Sequence, residues 1–256
     1  MPTALSPLTP TASTPGRGPK ADLRRSVRLL AAFRREQRDP DGFYGLLARD
    51  TTAQLAGHLD LEDQLVLDVG GGAGYFTRAF RAAGARGVLV EPNLTELRRG
   101  QWDAGVVAGD GYRLPIPDRT VDLAFSSNVL EHVSAPVPFV EELVRVTRVG
   151  GHVYVAYTNW LSPWGGHATS PWHYLGGHYA ARRFERRTGR PPRHRYGTSL
   201  FPVSVAEMIR WARAHPHLDV IDARPRYLPD WCRSLVWLPG LREVATWNLA
   251  LLLRRR

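Results

Sequence analysis

Residues 66 to 76 read Val-Leu-Asp-Val-Gly-Gly-Gly-Ala-Gly-Tyr-Phe, and they carry the strongest chemical signal in the chain. Glycine at 70, 72 and 74 lets the backbone turn sharply and approach a ligand with no Cβ between them. A helix opening at Tyr75 then points its free N–H groups at the same ligand, so the stretch is the floor of a nucleotide-type cofactor site. Spacing narrows the ligand. The dinucleotide pattern G-x-G-x-x-G, begun at Gly70 or Gly72, needs glycine at 75 or 77, where the chain has Tyr75 and Thr77. The phosphate-cradling pattern G-x-x-x-x-G-K-[ST] needs a lysine that is absent. The carboxylate ahead of the turn, Asp68, would repel a pyrophosphate but suits a cationic amino acid moiety. Glu91 lies 21 residues beyond Gly70, where an acidic side chain can hold a ribose diol with both of its oxygens.

Regular elements must hold these groups. Leu65 to Val69 has the short, β-branched character of a fully buried parallel strand, while Tyr75, Phe76, Phe80 and Ala83 recur at helical spacing. Gly87 to Glu91 reads as a second strand. Further on, a helix from Pro138 to Thr147, ended by Val149-Gly150-Gly151, precedes a strand from His152 to Thr158. Ser204-Val205-Ala206-Glu207 is a capping box opening a helix to His215, and Leu218 to Ala223 and Ala245 to Leu253 read as the last strands. This alternation predicts an α/β fold, a doubly wound Rossmann-like sheet of seven strands. Residues 1 to 21, rich in proline and threonine, are expected to form a disordered tail, and residues 22 to 256 a single domain. Its first part, 22 to 60, holds two helices. Leu23, Val27, Leu30 and Phe33 mark the apolar face of the first, opposite Arg24, Arg25, Arg28, Arg34 and Arg35. The second, from about Phe43 to His58, would bring Tyr44 to the cofactor mouth.

The chain carries a formal net charge of +10. Basic residues concentrate in residues 1 to 40, in 182 to 195 and in the final Arg254-Arg255-Arg256, which leaves the remainder mildly acidic. That distribution speaks against a nucleic-acid groove built into the core. Cys232 is the lone cysteine, so no intramolecular disulfide forms and a reducing compartment is expected. The longest uncharged apolar stretch, Val244 to Leu253, is about half the length a bilayer requires. With no recognisable signal peptide, the expectation is a cytoplasmic protein, with peripheral membrane contact through the basic helix as its strongest membrane link.

The pattern D-x-G-x-G-x-G from Asp68 to Gly74 resembles motif I of the class I S-adenosylmethionine (SAM)-dependent methyltransferases. Residues 106 to 133, with Gly109-Asp110, Leu114-Pro115, Asp118 and Asp122, sharpen the likeness. They are similar to the G-D-x-x-x-L-P-x-x-D-x-x-x-D run of the small-molecule branch related to ubiquinone and menaquinone biosynthesis (methyltransferase type 11), here in a bacterial member. The resemblance spans residues 60 to 157 by motif and the rest by topology. It implies SAM as cofactor, held by Asp68, Gly70, Gly72, Gly74 and Glu91, with Asp110 accepting from the adenine amino group and Gly111 presenting backbone beside the ring. It also implies that Asp122 opens strand four, that Ser126 and Asn128 fall at that strand's carboxyl end, where open α/β sheets bind ligands, and that the chain closes on an antiparallel hairpin.

Residues 159 to 201 lie outside this plan, and a long irregular segment in a compact domain is usually functional or disordered, with its composition here against disorder. Trp160, Trp164, Trp172, Tyr174 and Tyr179 are interleaved there with His167, His173 and His178, between the glycine pairs Gly165-Gly166 and Gly176-Gly177, which could act as hinges. It is expected to be an acceptor lid, with Tyr44, Trp160, Trp172 and Tyr174 against the substrate. His132, His167 and His173 are the candidate bases for an acceptor that must lose a proton. Three histidines also raise a metal site, but no cysteine or carboxylate joins them in the sequence and none is expected. The reading is therefore methyl transfer to a small-molecule or lipid-like acceptor. Its competitors are a SAM-binding regulatory protein without turnover and a nucleic-acid methyltransferase, the latter disfavoured by Ser126-Ser127-Asn128-Val129, which lacks the Asn-Pro-Pro-Tyr type of base methylation.

Overall fold

The computed structural model describes residues 21 to 36, 38 to 99 and 105 to 256. The expected tail lies outside them except for Ala21, which is buried and exchanges hydrogen bonds with Asp230, its N–H donating to Oδ2 at 2.9 Å and its carbonyl accepting at 2.7 Å.

Seven strands form one sheet in the order β3-β2-β1-β4-β5-β7-β6. They are β1 (Leu65–Val69), β2 (Arg86–Glu91), β3 (Val106–Ala108), β4 (Val121–Ser127), β5 (Thr147–Thr158), β6 (Leu218–Pro225) and β7 (Asn248–Arg255). The pairings β1·β2, β1·β4, β2·β3 and β4·β5 are parallel, while β7 runs antiparallel between β5 and β6. From β1 the chain builds outward through β2 and β3, then returns to β4 on the other side. The carboxyl ends of β1 and β4 therefore flank the switch point, where such sheets open a crevice.

Alternation along the strands buries both faces. Val66, Leu123, Phe125, Tyr154 and Leu252 pack with Leu29 of α1 (Leu23–Phe33), Phe43 and Leu47 of α2 (Pro40–Leu55), and Phe76 and Phe80 of α3 (Tyr75–Ala82). The short helix α4 (Leu94–Arg99) joins β2 toward β3. On the other face, Leu67, Val69, Ala124, Val153, Val155 and Leu251 pack with Phe139 and Leu143 of α5 (Pro136–Val146). Val203, Val205, Met208 and Ile209, near the start of a later helix, complete that layer. A side-chain period of two on a doubly covered sheet produces this division.

The segment 159 to 201 is folded. It contains 3₁₀ turns at His167–Thr169 and Trp172–Leu175 and the helix α6 (Gly177–Thr188). Three of the four paired glycines are sites of close packing: a Cβ on Gly165 would strike the Trp160 carbonyl, one on Gly166 would stand 2.6 Å from the His173 ring and one on Gly177 2.1 Å from the Tyr196 ring, whereas Gly176, at φ 108°, faces open space. Two helices follow the segment, α7 (Val205–Ala214) and the short α8 (Leu241–Ala245).

Several expectations shift. In α1 the apolar face is misassigned: Leu23 and Val27 are exposed, and Arg25, Ser26 and Leu29 are buried. Arg25 turns inward because its guanidinium meets Asp50 of α2 in a bidentate pair (2.8 and 2.6 Å) and donates to the Arg226 carbonyl at 3.1 Å. Helix α2 begins at Pro40 rather than Phe43, with Asp39 as its N-cap accepting from the Gly42 N–H at 2.9 Å. β5 begins at Thr147, directly after α5, so Val149, Gly150 and Gly151 lie inside the strand and do not end a helix. Gly150, at φ 79°, lets the chain pass the irregular register between Val121 and Leu123 of β4. The last strand runs from Asn248, and Ala245 ends α8. The capping box at Ser204 forms, its hydroxyl accepting from the Glu207 N–H at 3.3 Å. The carboxylate that completes the cap is Glu243 of α8, which accepts from the N–H groups of Val205 and Ala206 at 3.0 and 2.8 Å.

Candidate active site at the carboxyl ends of β1 and β4

The turn after β1 holds Gly70, Gly72 and Gly74 at φ 74°, 55° and 73°. A side chain on Gly70 would press on Val129 (2.7 Å to Cγ2), whereas nothing lies within 4 Å of a Cβ on Gly72, which faces open space. The turn is braced from both sides. Glu91 Oε2 accepts from the Gly72 N–H at 2.9 Å and its Oε1 from the Asn93 N–H at 2.9 Å. Asp68 Oδ2 accepts from the Thr77 hydroxyl (2.7 Å) and N–H (3.1 Å). Its Oδ1 is buried without a partner. Burial pushes the Asp68 carboxyl up to about 7, against the pull of Thr77, with Glu91 adding repulsion.

The remaining cofactor candidates divide. Asn128, just past β4 at φ 57°, accepts on Oδ1 from Asn248 Nδ2 at 2.9 Å. Ser126 is fully buried and its hydroxyl donates to the Val69 carbonyl at 2.9 Å, which pins β4 to β1 and leaves it no proton for a ligand. Asp110 is exposed, accepting from the Tyr112 N–H at 2.9 Å, and Gly111 is packed against the Phe139 ring. Asp118 lies on an exposed turn and pairs with Arg145.

Tyr44 lies beside the turn: its ring stacks on Tyr75, the first residue after Gly74 (5.6 Å between centroids, 19°), and its hydroxyl donates to Glu36 at 2.6 Å. The Tyr75 hydroxyl in turn donates to Asp41. The N-terminal helices are thereby fastened over the mouth. Beneath them lies a residue that sequence reasoning misses. Arg226, directly after β6, is only 2 % exposed; it donates to the hydroxyls of Ser127 (2.7 Å) and Thr51 (2.9 Å), and its guanidinium stands 5.5 Å from the centre of the Phe76 ring. Its Nε is buried without a partner, and among the described residues it forms no ion pair with a carboxylate. One arginine among many, it carries no signal in the sequence beyond its place after a strand.

The segment 159 to 201 sorts its aromatic and imidazole groups. Trp160 packs edge-on to His173 (5.2 Å, 83°), Trp172 lies under the Arg183 guanidinium at 3.9 Å, and the Tyr174 hydroxyl donates to the Leu161 carbonyl at 3.3 Å. Trp172 and Tyr174 are exposed. His173 is 1 % exposed, its Nε2 bonded to the Ser162 carbonyl at 3.1 Å and its ring covered by Tyr174, so it has no face open to an acceptor and works as a packing residue. His167 instead meets His132 (5.1 Å between centroids) and His194 (5.3 Å), while His178 packs on Tyr196. Burial and its imidazole neighbours pull His167 down to about 3 and His194 down to about 4, so both are neutral at pH 7. Beside them Glu131 is buried, and burial pushes its carboxyl above the ordinary range against the pull of His132 and the Thr158 N–H. Neither Glu131 nor His194 stands out in the sequence as a site residue.

The family model described as a methyltransferase domain matches residues 67 to 155, from β1 through most of β5. A protein of Mycobacteroides abscessus named "Uncharacterized methyltransferase" is 47 % identical over 251 residues, 93 % of this chain and 96 % of that one. One of the same name from Mycolicibacterium gilvum is 48 % identical over 246 residues, covering 92 % and 96 %. Among solved structures, an S-adenosylmethionine-dependent methyltransferase from Mesorhizobium loti shares the fold with a TM-score of 0.57 at 18 % identity, over 84 % of this chain and 99 % of that one. A matched type 11 methyltransferase domain built on the crevice-forming strands, together with relatives so similar along nearly their whole length, makes this chain a member of the methyltransferase family to which those relatives belong.

Proposed function

We propose that the chain binds SAM in the crevice between β1 and β4 and transfers its methyl group to a small-molecule or lipid-like acceptor beneath the segment 159 to 201. One observation carries the reading: an open glycine turn follows a buried carboxylate with an unpartnered oxygen, Asp68, and leads to Phe76, whose ring stands beside a buried guanidinium, Arg226, that pairs with no carboxylate among the described residues. The amino acid end of SAM carries both charges these groups lack, an ammonium and a carboxylate. Each buried charge then gains the partner without which its burial is costly.

When bound, SAM supplies a methyl carbon already activated by a sulfonium. The chain's part is to align an acceptor, exclude water and handle a proton. Glu91 fixes the turn through Gly72 and offers its remaining lone pairs toward a ribose. Tyr44, Tyr75 and the lid aromatics cover the crevice. Among the described residues no helix is long and apolar enough to cross a membrane, so a lipid-like acceptor would be taken from a surface or from solution.

Isothermal titration should give a micromolar dissociation constant for SAM and its demethylated product, about −7 to −8 kcal/mol, and no binding of NAD. Folded protein that bound NAD more tightly than SAM would overturn the reading. The Asp68 carboxyl adds a pH signature. Raised to about 7, it is largely protonated in the free protein at low pH, and a bound ammonium favours its charged form. SAM affinity should therefore rise with pH, by up to about tenfold per unit, and level off above about pH 7. Asp68→Asn should flatten that profile. The stability contribution runs the other way, present at low pH and lost as pH rises through 7, because the folded value lies above the unfolded one. A parent profile as flat as the variant's would place Asp68 outside the cofactor's reach.

A further inference from the structure

We propose that Glu131, His132 and His167 form a binding site for one divalent transition-metal ion of the zinc type, placed between the glycine turn and the lid. One ligand atom from each of the three lies within 4.8 Å of the others. Two ligands about 2.1 Å from a zinc ion stand roughly 3.4 Å apart at the tetrahedral angle, so closing on an ion requires side-chain shifts of about 1 Å.

What distinguishes this cluster from a chance gathering is how its lone pairs are directed. Glu131 is 1 % exposed; its Oε1 accepts from the Thr158 N–H at 3.1 Å, and its Oε2 is buried with no partner. The Ser199 carbonyl, 2.7 Å from His132 Nδ1, can only accept, so the proton of the neutral ring sits on Nδ1 and Nε2 keeps its lone pair. Carbonyl-anchored imidazoles of this kind are the usual second support of a metal-bound histidine. The third donor, His167 Nε2, is likewise buried and unpartnered. An ion would satisfy a carboxylate oxygen and an imidazole nitrogen that are otherwise orphaned at a cost. His194, whose ring centroid lies 4.3 Å from that of His132, walls the cluster on one side.

Two imidazoles and a carboxylate with no thiolate suit zinc, iron, cobalt or manganese and leave coordination positions open. Position gives those openings a use. Glu131 and His132 follow Val129, which touches Gly70 of the cofactor turn, and His167 comes from the lid, so an ion here would hold an acceptor oxygen at the boundary where the methyl group must arrive. That role rests on the methyl-transfer reading, whereas metal binding does not.

The full chain, stripped with chelator and dialysed, should bind one equivalent of Zn²⁺ with submicromolar affinity in a competition titration, and Co²⁺ should give visible d–d bands that shift when imidazole is added. Glu131→Gln, which keeps the Thr158 bond, and His167→Gln should each weaken Zn²⁺ by about a hundredfold or more. His217→Ala, exposed beside the amino end of β6, should not. Thermal melts of each metal-free variant check that it folds, and the melting rise on adding Zn²⁺ should appear in the parent and in His217→Ala and vanish in the other two. Absent stoichiometric Zn²⁺ binding, or binding indifferent to both cluster substitutions, would overturn the proposal. SAM titration into the metal-free chain tests the methyl-transfer reading separately.

Discussion

Replacing Arg226 with methionine should weaken SAM binding by about thirty- to hundredfold, about 2 to 3 kcal/mol, while leaving the melting temperature unchanged or higher. The two halves of this result have one cause. The side chain is 2 % exposed, held by two neutral hydroxyls and without a carboxylate among the described residues, so in the free protein its charge is a desolvation cost that a methionine of similar volume removes. In the complex the same charge would meet the methionine carboxylate of SAM, and removal loses that pair. Titration calorimetry and a thermal melt on the same preparation read both. A variant that melted much lower and bound SAM as well as the parent would make Arg226 a strut between Ser127 and Thr51, with no part in binding.

The largest stability effect is expected at Phe125. Its ring is fully buried, stacked on Tyr154 at 4.9 Å and 2° and met by Phe76 and Phe80, each at 4.9 Å. Phe125→Ala should cost about 3 to 5 kcal/mol in urea unfolding, through lost transfer energy and the cavity left behind. Phe125→Leu should cost less than half as much. Because Phe76 also supports Arg226, the alanine variant should lose SAM affinity as well. A loss below about 1 kcal/mol would mean that α3 collapses into the gap and that the aromatic stack is dispensable.

What can be read from the sequence follows how locally each feature is encoded. The strand, turn and helix from Leu65 to Ala82 occupy contiguous residues whose periodicity and glycines act on themselves, and the structure reproduces them. Glu91 can be placed because one crossover of ordinary length separates it from the turn. The face of α1 is not legible, since Arg25 is solvated or buried according to whether Asp50, on another helix, is there to meet it. Arg226 hides among the arginines for the same reason, and a net charge of +10 encourages reading every one as surface. Nearness in the chain groups the histidines as 167, 173 and 178. Folding regroups them as 132, 167 and 194, because the segment 159 to 201 doubles back and brings Ser199 and His194 against His132, just after β4.

The order in which the strands are made bears on how the chain is born. β7 is the last of the seven to be translated, yet it lies inside the sheet, pairing with β5 on one side and β6 on the other. Until it leaves the ribosome, β5 and β6 each present an open edge, and the apolar faces that Leu249, Leu251 and Leu253 will cover are exposed. Native closure is therefore a late event joining residues about a hundred positions apart, which is slow by its topology. A stalled or prematurely ended nascent chain would be an aggregation hazard and a ready substrate for chaperones and proteases, even with its cofactor half complete.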